Sequence, residues 1–251
     1  MTEIEYYRVF PSWENFHVTT TRLIRRVCES GFHPDAIMGI WRGGVYVAGI
    51  ARDVFEGYGL KFDDPTAEGK SYNPGIANQS SVVSIYNMEE VMKRLKAKRA
   101  RRILPIDDIV DTGVTLHAFR HILRYGLRIS DAIEPENNGM LNHTIYRFPM
   151  RAGAREYILR VPMTGDITPL ADPDVHVAAP YYKPHALEAS EGADFSIQPV
   201  EIDDRNRWPW VIFPWEIVKD GSPEEMREHH PGVYEALYGE RRLISVPGEE
   251  S

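Results

Sequence analysis

The segment Arg102–Thr115 carries the most informative chemistry in this chain of 251 residues. An apolar run leads into two adjacent carboxylates, Asp107 and Asp108, and the sequence Asp-Thr-Gly-Val-Thr follows them closely. An amphipathic pattern begins at Leu116. This order predicts a buried strand, a tight turn that contains glycine, and a helix.

The predicted turn is suited to bind a phosphorylated ribose. A helix N-terminus presents unpaired N–H groups and a partial positive charge, which together hold a phosphate. Thr112 and Thr115 would add hydroxyl donors, and Gly113 would let the backbone approach the anion closely. Asp107 and Asp108 could accept hydrogen bonds from sugar hydroxyls or help to position a hydrated Mg²⁺. The alternative is an acidic surface turn after a core strand.

A second glycine turn occurs earlier in the chain. Residues 35–40 predict a short buried strand, and residues 45–55 predict the helix after it. Between them, Arg42, Gly43 and Gly44 can present successive N–H groups and one guanidinium to pyrophosphate, although Gly-Gly after a strand is usually only a turn. Two such units favour a parallel sheet with helices on both faces, whose ligands bind at the carboxyl ends of the strands.

Aromatic residues and a lysine near the C-terminus could recognise a flat heterocycle. Lys183 can donate a hydrogen bond to an exocyclic carbonyl, which would select 6-oxopurines over adenine. Trp210 can stack on a ring, and such stacking contributes about 1–3 kcal/mol per base. Taken singly, a solvated lysine and a core tryptophan are the commoner interpretations.

Composition and charge exclude several classes of protein. The net charge of −8 argues against nucleic acid as the main partner. No apolar run approaches the roughly 20 residues that cross a bilayer, and the acidic N-terminus lacks the features of a signal peptide. Cys28 is the only cysteine, which favours a reducing cytoplasm. The length fits one large domain, or one domain with a sizeable insertion.

Hydrophobic periodicity gives the order of the remaining elements. The segment 63–81 is rich in turn-forming residues and predicts a long mobile loop. Hydrophobic periodicity is weak over 126–174, although two of the strands given below fall within this range. Further helices are predicted at 12–30, 89–99 and 223–230, and further strands at 82–86, 144–148, 157–161, 175–179 and 210–213.

Residues 103–115 resemble the signature with which the type I phosphoribosyltransferases bind phosphoribosyl pyrophosphate (PRPP). Pro105 departs from this pattern, and because proline lacks the N–H of a sheet ladder we expect a local irregularity there. Lys183-Pro184, followed by Trp210–Glu216, resembles the xanthine and xanthine–guanine branch of the 6-oxopurine phosphoribosyltransferases. Ser12-Trp13-Glu14 is also similar to this branch.

The resemblance implies a role for each matching residue. Asp107 and Asp108 would bind the ribose and, together with Glu216, the Mg²⁺. Asp111 would be the general base. The other implied groups are the 5′-phosphate loop (Thr112, Gly113, Thr115), the pyrophosphate loop (Arg42, Gly43, Gly44, with a cis Trp41–Arg42 peptide), the base site (Lys183, Trp210, Val211, Ile212) and a mobile loop (Ser71, Tyr72).

The same resemblance implies the fold class and the domain organisation. We expect one phosphoribosyltransferase domain over 1–251, with a parallel α/β core covered by helices on both faces. A small hood that binds the base would occupy 175–220, and 126–174 would be an insertion that serves as an interface or a lid. The family's Pro-Asp-Tyr-like segment is reduced to Ala193-Asp194-Phe195, so the base pocket is expected to differ.

The function implied is the transfer of the phosphoribosyl group from PRPP to N9 of xanthine, guanine or hypoxanthine in purine salvage. Two alternatives stay open: a non-catalytic sensor of PRPP or nucleotides, and a transferase for a different base. The expected partners are PRPP, a purine and Mg²⁺, with no nucleic acid or membrane. A homodimer or higher homo-oligomer is also expected, with exposed aromatic rings near Tyr181 and Tyr182 suited to the interface.

Overall fold

The computed structural model describes residues 6–72, 79–136, 143–152, 155–184, 193–200 and 208–238. The chain forms two compact units: a larger one, Phe16–Asn206, and a smaller one that combines Met1–Asn15 with Arg207–Ser251. Within the described ranges, no helix has both the length and the apolar character needed to cross a bilayer.

The larger unit contains one mixed sheet with helices packed on it. Its helices are α1 (Trp13–Glu29, which begins in the smaller unit), α2 (Gly43–Gly57), α3 (Met88–Ala97) and α4 (Val114–Tyr125). Its strands are β2 (Ala36–Trp41), β3 (Thr66–Tyr72), β4 (Gln79–Tyr86), β5 (Arg102–Ile106), β6 (Ile109–Val110), β7 (Glu134–Glu136), β8 (Thr144–Ala152), β9 (Arg155–Met163), β10 (Asp174–Val175), β11 (Ala178–Tyr182) and β12 (Phe195–Pro199).

The centre of the sheet is parallel, in the order β12-β11-β5-β2-β3. After β2 the chain passes through α2 to β3 on one side, and it then returns to β5 on the other side. The direction of strand order therefore reverses between β2 and β5, and ligands in such sheets bind at this switch point. α2 follows β2 and α4 follows β5, so both glycine turns lie there.

Helices cover both faces of the parallel centre, as predicted. Side chains alternate along a strand, so Met38 and Ile40 share one face of β2 and Gly39 lies on the other. Met38 and Ile40 belong to the hydrophobic cluster formed with α3 and α4. On the opposite face a Cβ on Gly39 would lie 3.0 Å from the Cβ of Ala48, so α2 packs closely against β2.

The irregularity expected at Pro105 occurs on one side of β5. Towards β2 the register is continuous through Met38 and Pro105. On the other side β10 pairs only with the start of β5, and β11 pairs only with its last residue. The Ile103 carbonyl accepts from His176 N–H, and Asp107 N–H donates to the Ala178 carbonyl, so both residues face β10 and β11. Alternate residues of a strand face the same neighbour, so the nitrogen of Pro105 also points to this side, at the break between β10 and β11.

The segment 126–174 extends the sheet. β9 pairs in parallel with β4, and β8 and β7 continue the sheet in antiparallel pairs. One face of the extension is apolar, and Phe148, Leu159 and Val161 share the hydrophobic cluster with Phe119 of α4. The segment is therefore built into the sheet and its core, and β8 and β9 contain the strands predicted at 144–148 and 157–161.

Hydrogen bonds join the start of this extension to its end, and further hydrogen bonds join its end to α3. Leu127 and Ile167 exchange two backbone hydrogen bonds, of 2.8 and 2.9 Å, where the chain leaves and re-enters the parallel core. The carboxylate of Glu89 on α3 accepts from the Thr164 hydroxyl at 3.0 Å and from the Gly165 N–H at 3.1 Å. Burial raises the pKa of Glu89, but these hydrogen bonds outweigh it and the net pKa is lowered.

Glu89→Gln is expected to lower Tm at pH 7 by about 2–4 °C, which corresponds to roughly 1 kcal/mol in a domain of this size. A lowered pKa stabilises the fold above the ordinary carboxyl pKa, and this contribution is lost as pH falls through the lowered value. The Tm difference from wild type should therefore shrink under acidic conditions. Glu90→Gln, an exposed neighbour on the same helix, is the control for thermal unfolding from pH 3 to 8.

The smaller unit contains a two-stranded parallel sheet of β1 (Tyr6–Val9) and β13 (Trp208–Val211). The helices α5 (Ile217–Asp220), α6 (Pro223–His229) and α7 (Pro231–Tyr238) follow. Its core centres on Ile212, Ile217 and Met226. The predicted hood, 175–220, is thus divided between the units: β11 and β12 belong to the large sheet, and β13 and α5 belong to the smaller unit.

Candidate functional site

The signature segment forms the predicted strand, turn and helix at the carboxyl end of β5. Asp107 N–H donates to the Ala178 carbonyl at 3.0 Å, and the Asp107 carboxylate accepts from the N–H of Asp108, also at 3.0 Å. Gly113 precedes α4 with a φ of 78°, which favours glycine. Its carbonyl accepts from the His117 N–H at 2.9 Å, so the first hydrogen bond of the helix begins at the turn.

The Thr112 hydroxyl is a candidate group for contact with a polar ligand at this turn. Its Oγ1 is buried and has no hydrogen-bond partner among the described residues. A buried hydroxyl without a partner is unfavourable, and in native proteins it usually marks a position that a water, ion or substrate satisfies. The hydroxyl lies in the turn that precedes the N-terminus of α4, which attracts anions.

The second glycine turn lies directly beside the first. The Trp41–Arg42 peptide is cis, as the resemblance implied, and α2 begins at Gly43 without a side-chain cap. A Cβ built on Gly43 would lie 1.7 Å from Oδ2 of Asp108. The carboxylate predicted to bind ribose is therefore in contact with the loop predicted to bind pyrophosphate, and only glycine leaves room for it.

Gly44 packs against the main chain of β5 beside the same turn. Its Cβ position lies 2.1 Å from the carbonyl oxygen of Ile106 and 3.0 Å from the Cα of Asp107. Main-chain atoms of a central strand have little freedom to move. The glycine thus sets how closely the N-terminus of α2 can approach the end of β5.

Gly44→Ala should displace α2 from β5, lower stability by about 1–3 kcal/mol and weaken PRPP binding. Urea unfolding and titration with PRPP measure the two effects. Gly49→Ala on the same helix is the matched control. A Cβ at position 49 would meet nothing within 4 Å, and alanine is more favourable than glycine inside a helix. Equal stability of the two variants would contradict the tight packing assigned to Gly44.

Asp111 and Lys183 form a buried ion pair. The Lys183 ammonium lies 2.8 Å from Oδ1 of Asp111, and the side chains are only 6% and 17% exposed. The main chain holds Lys183 in register, because its N–H donates to the Val110 carbonyl at 2.9 Å where β11 extends beside β6. Lysine is rarely buried without a charged partner. The pair brings the predicted general base and the predicted base-recognition residue to one position.

In the smaller unit, the structure distinguishes between the two main-chain groups predicted to contact the base. The Ile212 N–H donates to the Val9 carbonyl at 2.9 Å, and contact of the Ile212 main chain with the base stays a prediction. Main-chain groups alternate in direction along a strand, so those of Val211 face away from β1. Trp210 is partly buried against the core of this unit. Glu216 accepts from the Phe213 N–H at 3.3 Å.

Two further expectations require correction. The predicted mobile loop, 63–81, contains the whole of β3 and the start of β4, and its centre, 73–78, lies outside the described residues. Ser71 and Tyr72 end β3, so their proposed role stays a prediction. Tyr181 is buried, with its ring 6.4 Å from that of Phe16, and it is not part of an exposed aromatic surface.

Asp194 has a structural role that the sequence did not reveal. Its carboxylate accepts from the Val177 N–H at 2.7 Å and pairs with Arg120 of α4. It therefore stabilises the break between β10 and β11, and Phe195 after it begins β12. The segment Ala193-Asp194-Phe195 belongs to the sheet and its contact with α4.

The described residues contain no group of three or more His, Cys, Asp or Glu side chains arranged to hold a metal ion. Beside phosphates, Mg²⁺ is usually bound through one or two carboxylates, several waters and the substrate. Asp107 and Asp108 offer the hard oxygen ligands that such an ion prefers.

Known proteins resemble this chain in sequence and in structure. Residues 12–130 match the family described as the phosphoribosyl transferase domain. The chain is similar to a purine phosphoribosyltransferase from Pyrococcus horikoshii Ot3, with 17% identity over 83% of this chain and 94% of that chain and a TM-score of 0.45. It is also similar to a xanthine-guanine-hypoxanthine phosphoribosyltransferase from Helicobacter pylori, with 16% identity, coverages of 84% and 96%, and a TM-score of 0.46.

A hypothetical protein from Neisseria gonorrhoeae, solved with bound ppGpp, shares the fold over most of both chains. The identity is 18%, the coverages are 92% and 99%, and the TM-score is 0.51. The family match covers both glycine turns and the cis peptide. Residues 12–130 are therefore similar to the phosphoribosyl transferase domain family, and the fold of the described residues is that of the type I phosphoribosyltransferases.

Proposed function

We propose that this protein transfers the 5-phosphoribosyl group from PRPP to N9 of a 6-oxopurine, releasing pyrophosphate, in purine salvage. The observation that carries the proposal is the Lys183–Asp111 pair at 2.8 Å. A 6-oxopurine presents O6 and N7 side by side on one edge, and an ammonium beside a carboxylate complements that edge. Lys183 would donate to O6 while Asp111 accepts the N7 proton. Adenine would turn an amino group towards the lysine, which leaves two donors facing each other.

The two glycine turns account for the PRPP half of the reaction. Thr112, Gly113 and Thr115 would bind the 5′-phosphate, and the buried Thr112 hydroxyl supports this role. Asp107 and Asp108 would accept hydrogen bonds from the ribose hydroxyls. The pyrophosphate loop, Arg42, Gly43 and Gly44, would receive the departing group at the N-terminus of α2.

Catalysis in this proposal consists of positioning and charge stabilisation. The bond from C1 of the ribose to pyrophosphate breaks while N9 bonds to C1, and charge develops on the leaving group. Arg42 would stabilise that charge, and Asp111 would remove the N7 proton from the base. Mg²⁺, held near Asp107, Asp108 and the substrate, supplies further neutralisation of the pyrophosphate when it is bound.

The remaining assignments belong to the same proposal. In the smaller unit, Trp210 is a stacking surface for the base, the outward main chain of Val211 is a hydrogen-bonding group, and Glu216 supports the Mg²⁺. Ser71 and Tyr72 cover bound PRPP. A cytoplasmic location and a homo-oligomeric state are expected, the first because the chain has a single cysteine.

The test is PRPP- and Mg²⁺-dependent nucleotide formation with xanthine, guanine, hypoxanthine and adenine assayed in parallel. Turnover of one or more oxopurines, with adenine inert, is the expected result. Equal turnover of adenine would refute the role of the Lys183–Asp111 edge. PRPP binding without turnover of any of the four bases would favour an unusual acceptor or a sensor.

A sensor of nucleotides is the second candidate, and the match to the ppGpp-bound Neisseria protein over 92% of this chain favours including it. Calorimetric titrations with PRPP and ppGpp distinguish the candidates when combined with the turnover assay. A sensor would bind ppGpp or PRPP tightly and leave all four bases unchanged.

A further inference from the structure

Gly69 lies within β3, where the strand crosses the first turns of α4. Its register with β4 is regular, with Glu68, Gly69 and Lys70 opposite Tyr86, Ile85 and Ser84. Its φ lies outside the left-handed region, so backbone conformation does not require glycine here. Glycine weakens a strand interior, and it often marks a point where another part of the structure approaches closely.

The close neighbour is Thr115, one of the residues proposed to bind the 5′-phosphate. A Cβ on Gly69 would lie 2.8 Å from Cγ2 of Thr115 and 2.9 Å from Cε2 of Phe119. Phe119 is fully buried in the core and has little room to retreat. The Thr115 methyl therefore fits into the space that the missing side chain of Gly69 leaves.

The position of that methyl determines the position of the hydroxyl. Threonine in a helix divides between two χ1 rotamers, because its hydroxyl can bond to the preceding turn. The methyl and the hydroxyl are both attached to Cβ, so fixing the methyl against Gly69 leaves only one direction for Oγ1. The contact thus favours one rotamer of Thr115 at the start of α4.

We propose that Gly69 is a positioning residue, which holds the Thr115 hydroxyl in the orientation that binds a 5′-phosphate. The inference rests on the proposed binding of PRPP at residues 111–115. Every ligand with a 5′-phosphate, PRPP and the nucleotide product alike, depends on this orientation. Inorganic pyrophosphate, which would bind at the other turn, does not.

Gly69→Ala should therefore weaken the binding of PRPP and of the nucleoside monophosphate by about tenfold, which corresponds to about 1.4 kcal/mol. The Kd for inorganic pyrophosphate with Mg²⁺ should be unchanged, and kcat at saturating PRPP should change little while the KM for PRPP rises. Calorimetry and steady-state kinetics measure these values, and circular dichroism checks the fold. A general loss of structure would affect all the ligands together.

A double variant separates positioning from a general packing defect. Thr115→Ser keeps the hydroxyl and removes the methyl that a Cβ at position 69 would meet. Alone, it should weaken PRPP binding a few-fold, because the contact of the methyl with Gly69 no longer orients the hydroxyl. Gly69→Ala combined with Thr115→Ser should bind PRPP as well as Thr115→Ser does, so the cost of the alanine disappears.

Three results would overturn the inference. The first is Gly69→Ala with the PRPP affinity of wild type. The second is a double variant no better than Gly69→Ala, which would assign the defect to Phe119 or to the strand. The third, which applies even if the alanine variant fails to fold, is Thr115→Ser with wild-type affinity. Absence of PRPP binding by the wild-type protein would instead refute the proposed function itself.

Discussion

Asp111→Asn should lower kcat for nucleotide formation by roughly 10²–10⁴-fold, the range that a positioned general base contributes. The asparagine side-chain oxygen can still accept a hydrogen bond from the Lys183 ammonium, so the fold should survive. Asparagine cannot take the N7 proton of the base, and the loss should therefore appear in kcat. The Kd for PRPP should stay close to the wild-type value. Stopped-time assays with saturating substrates and a PRPP titration provide both quantities.

The matched control is Asp131→Asn, which removes one carboxylate from an exposed position in the sheet extension. It should leave kcat unchanged. If Asp111→Asn instead raised the KM for PRPP at constant kcat, Asp111 would be a ribose or metal contact. That outcome would transfer the general-base role to another group and contradict the proposed reading of the Asp111–Lys183 edge.

Lys183→Met is expected to cause the largest loss of stability among the substitutions considered, about 3–5 kcal/mol. Methionine approximates the length of the lysine stem but removes the ammonium from beside the Asp111 carboxylate. That carboxylate would then be largely buried without its cation, which is much less favourable than losing both charges. Urea unfolding measures the change in the free energy of unfolding.

The double variant Lys183→Met with Asp111→Asn tests the cause of that loss. Without the buried carboxylate charge it should be more stable than Lys183→Met alone, although it is inactive. Lys93→Met, at an exposed position on α3, controls for the loss of a surface lysine. If the double variant were less stable than Lys183→Met, the two side chains would stabilise the fold independently of each other.

The same substitution has a functional consequence. Lys183→Met should raise the KM for oxopurines and weaken discrimination against adenine, because the donor to O6 is absent. Competition between guanine and adenine in one reaction measures this discrimination directly. Retained selectivity would show that another group reads the 6-position.

Local sequence determined the parts of the site whose conformation depends on neighbouring residues. The turn at 111–113 follows from an apolar run, two carboxylates and a glycine, and the structure contains it between β5 and α4. The turn at Arg42 likewise follows from strand and helix periodicity on its two sides. Short-range sterics and hydrogen bonding decide such turns, so one sequence suffices to predict them.

Pairings between distant segments could not be predicted in this way. The role of 126–174 depended on whether β9 would join the free edge of β4, and two weakly periodic stretches separated by many residues contain no information on register. Glu89 and Asp194 acquired their contacts from the same long-range packing. The prediction of a loop over 63–81 was wrong for a related reason: strand pairing overrode the turn-forming composition of this segment.

By itself, then, the sequence determined the parallel α/β core, its two glycine turns and the residue types that are proposed to bind a phosphoribosyl group. Only the tertiary structure decided that Asp108 lies against Gly43, that Lys183 pairs with Asp111, and that Thr115 packs against Gly69. Each of these contacts joins segments that are far apart in the chain. Their distances follow from how the strands and helices pack, and packing is settled by the shape of the whole core.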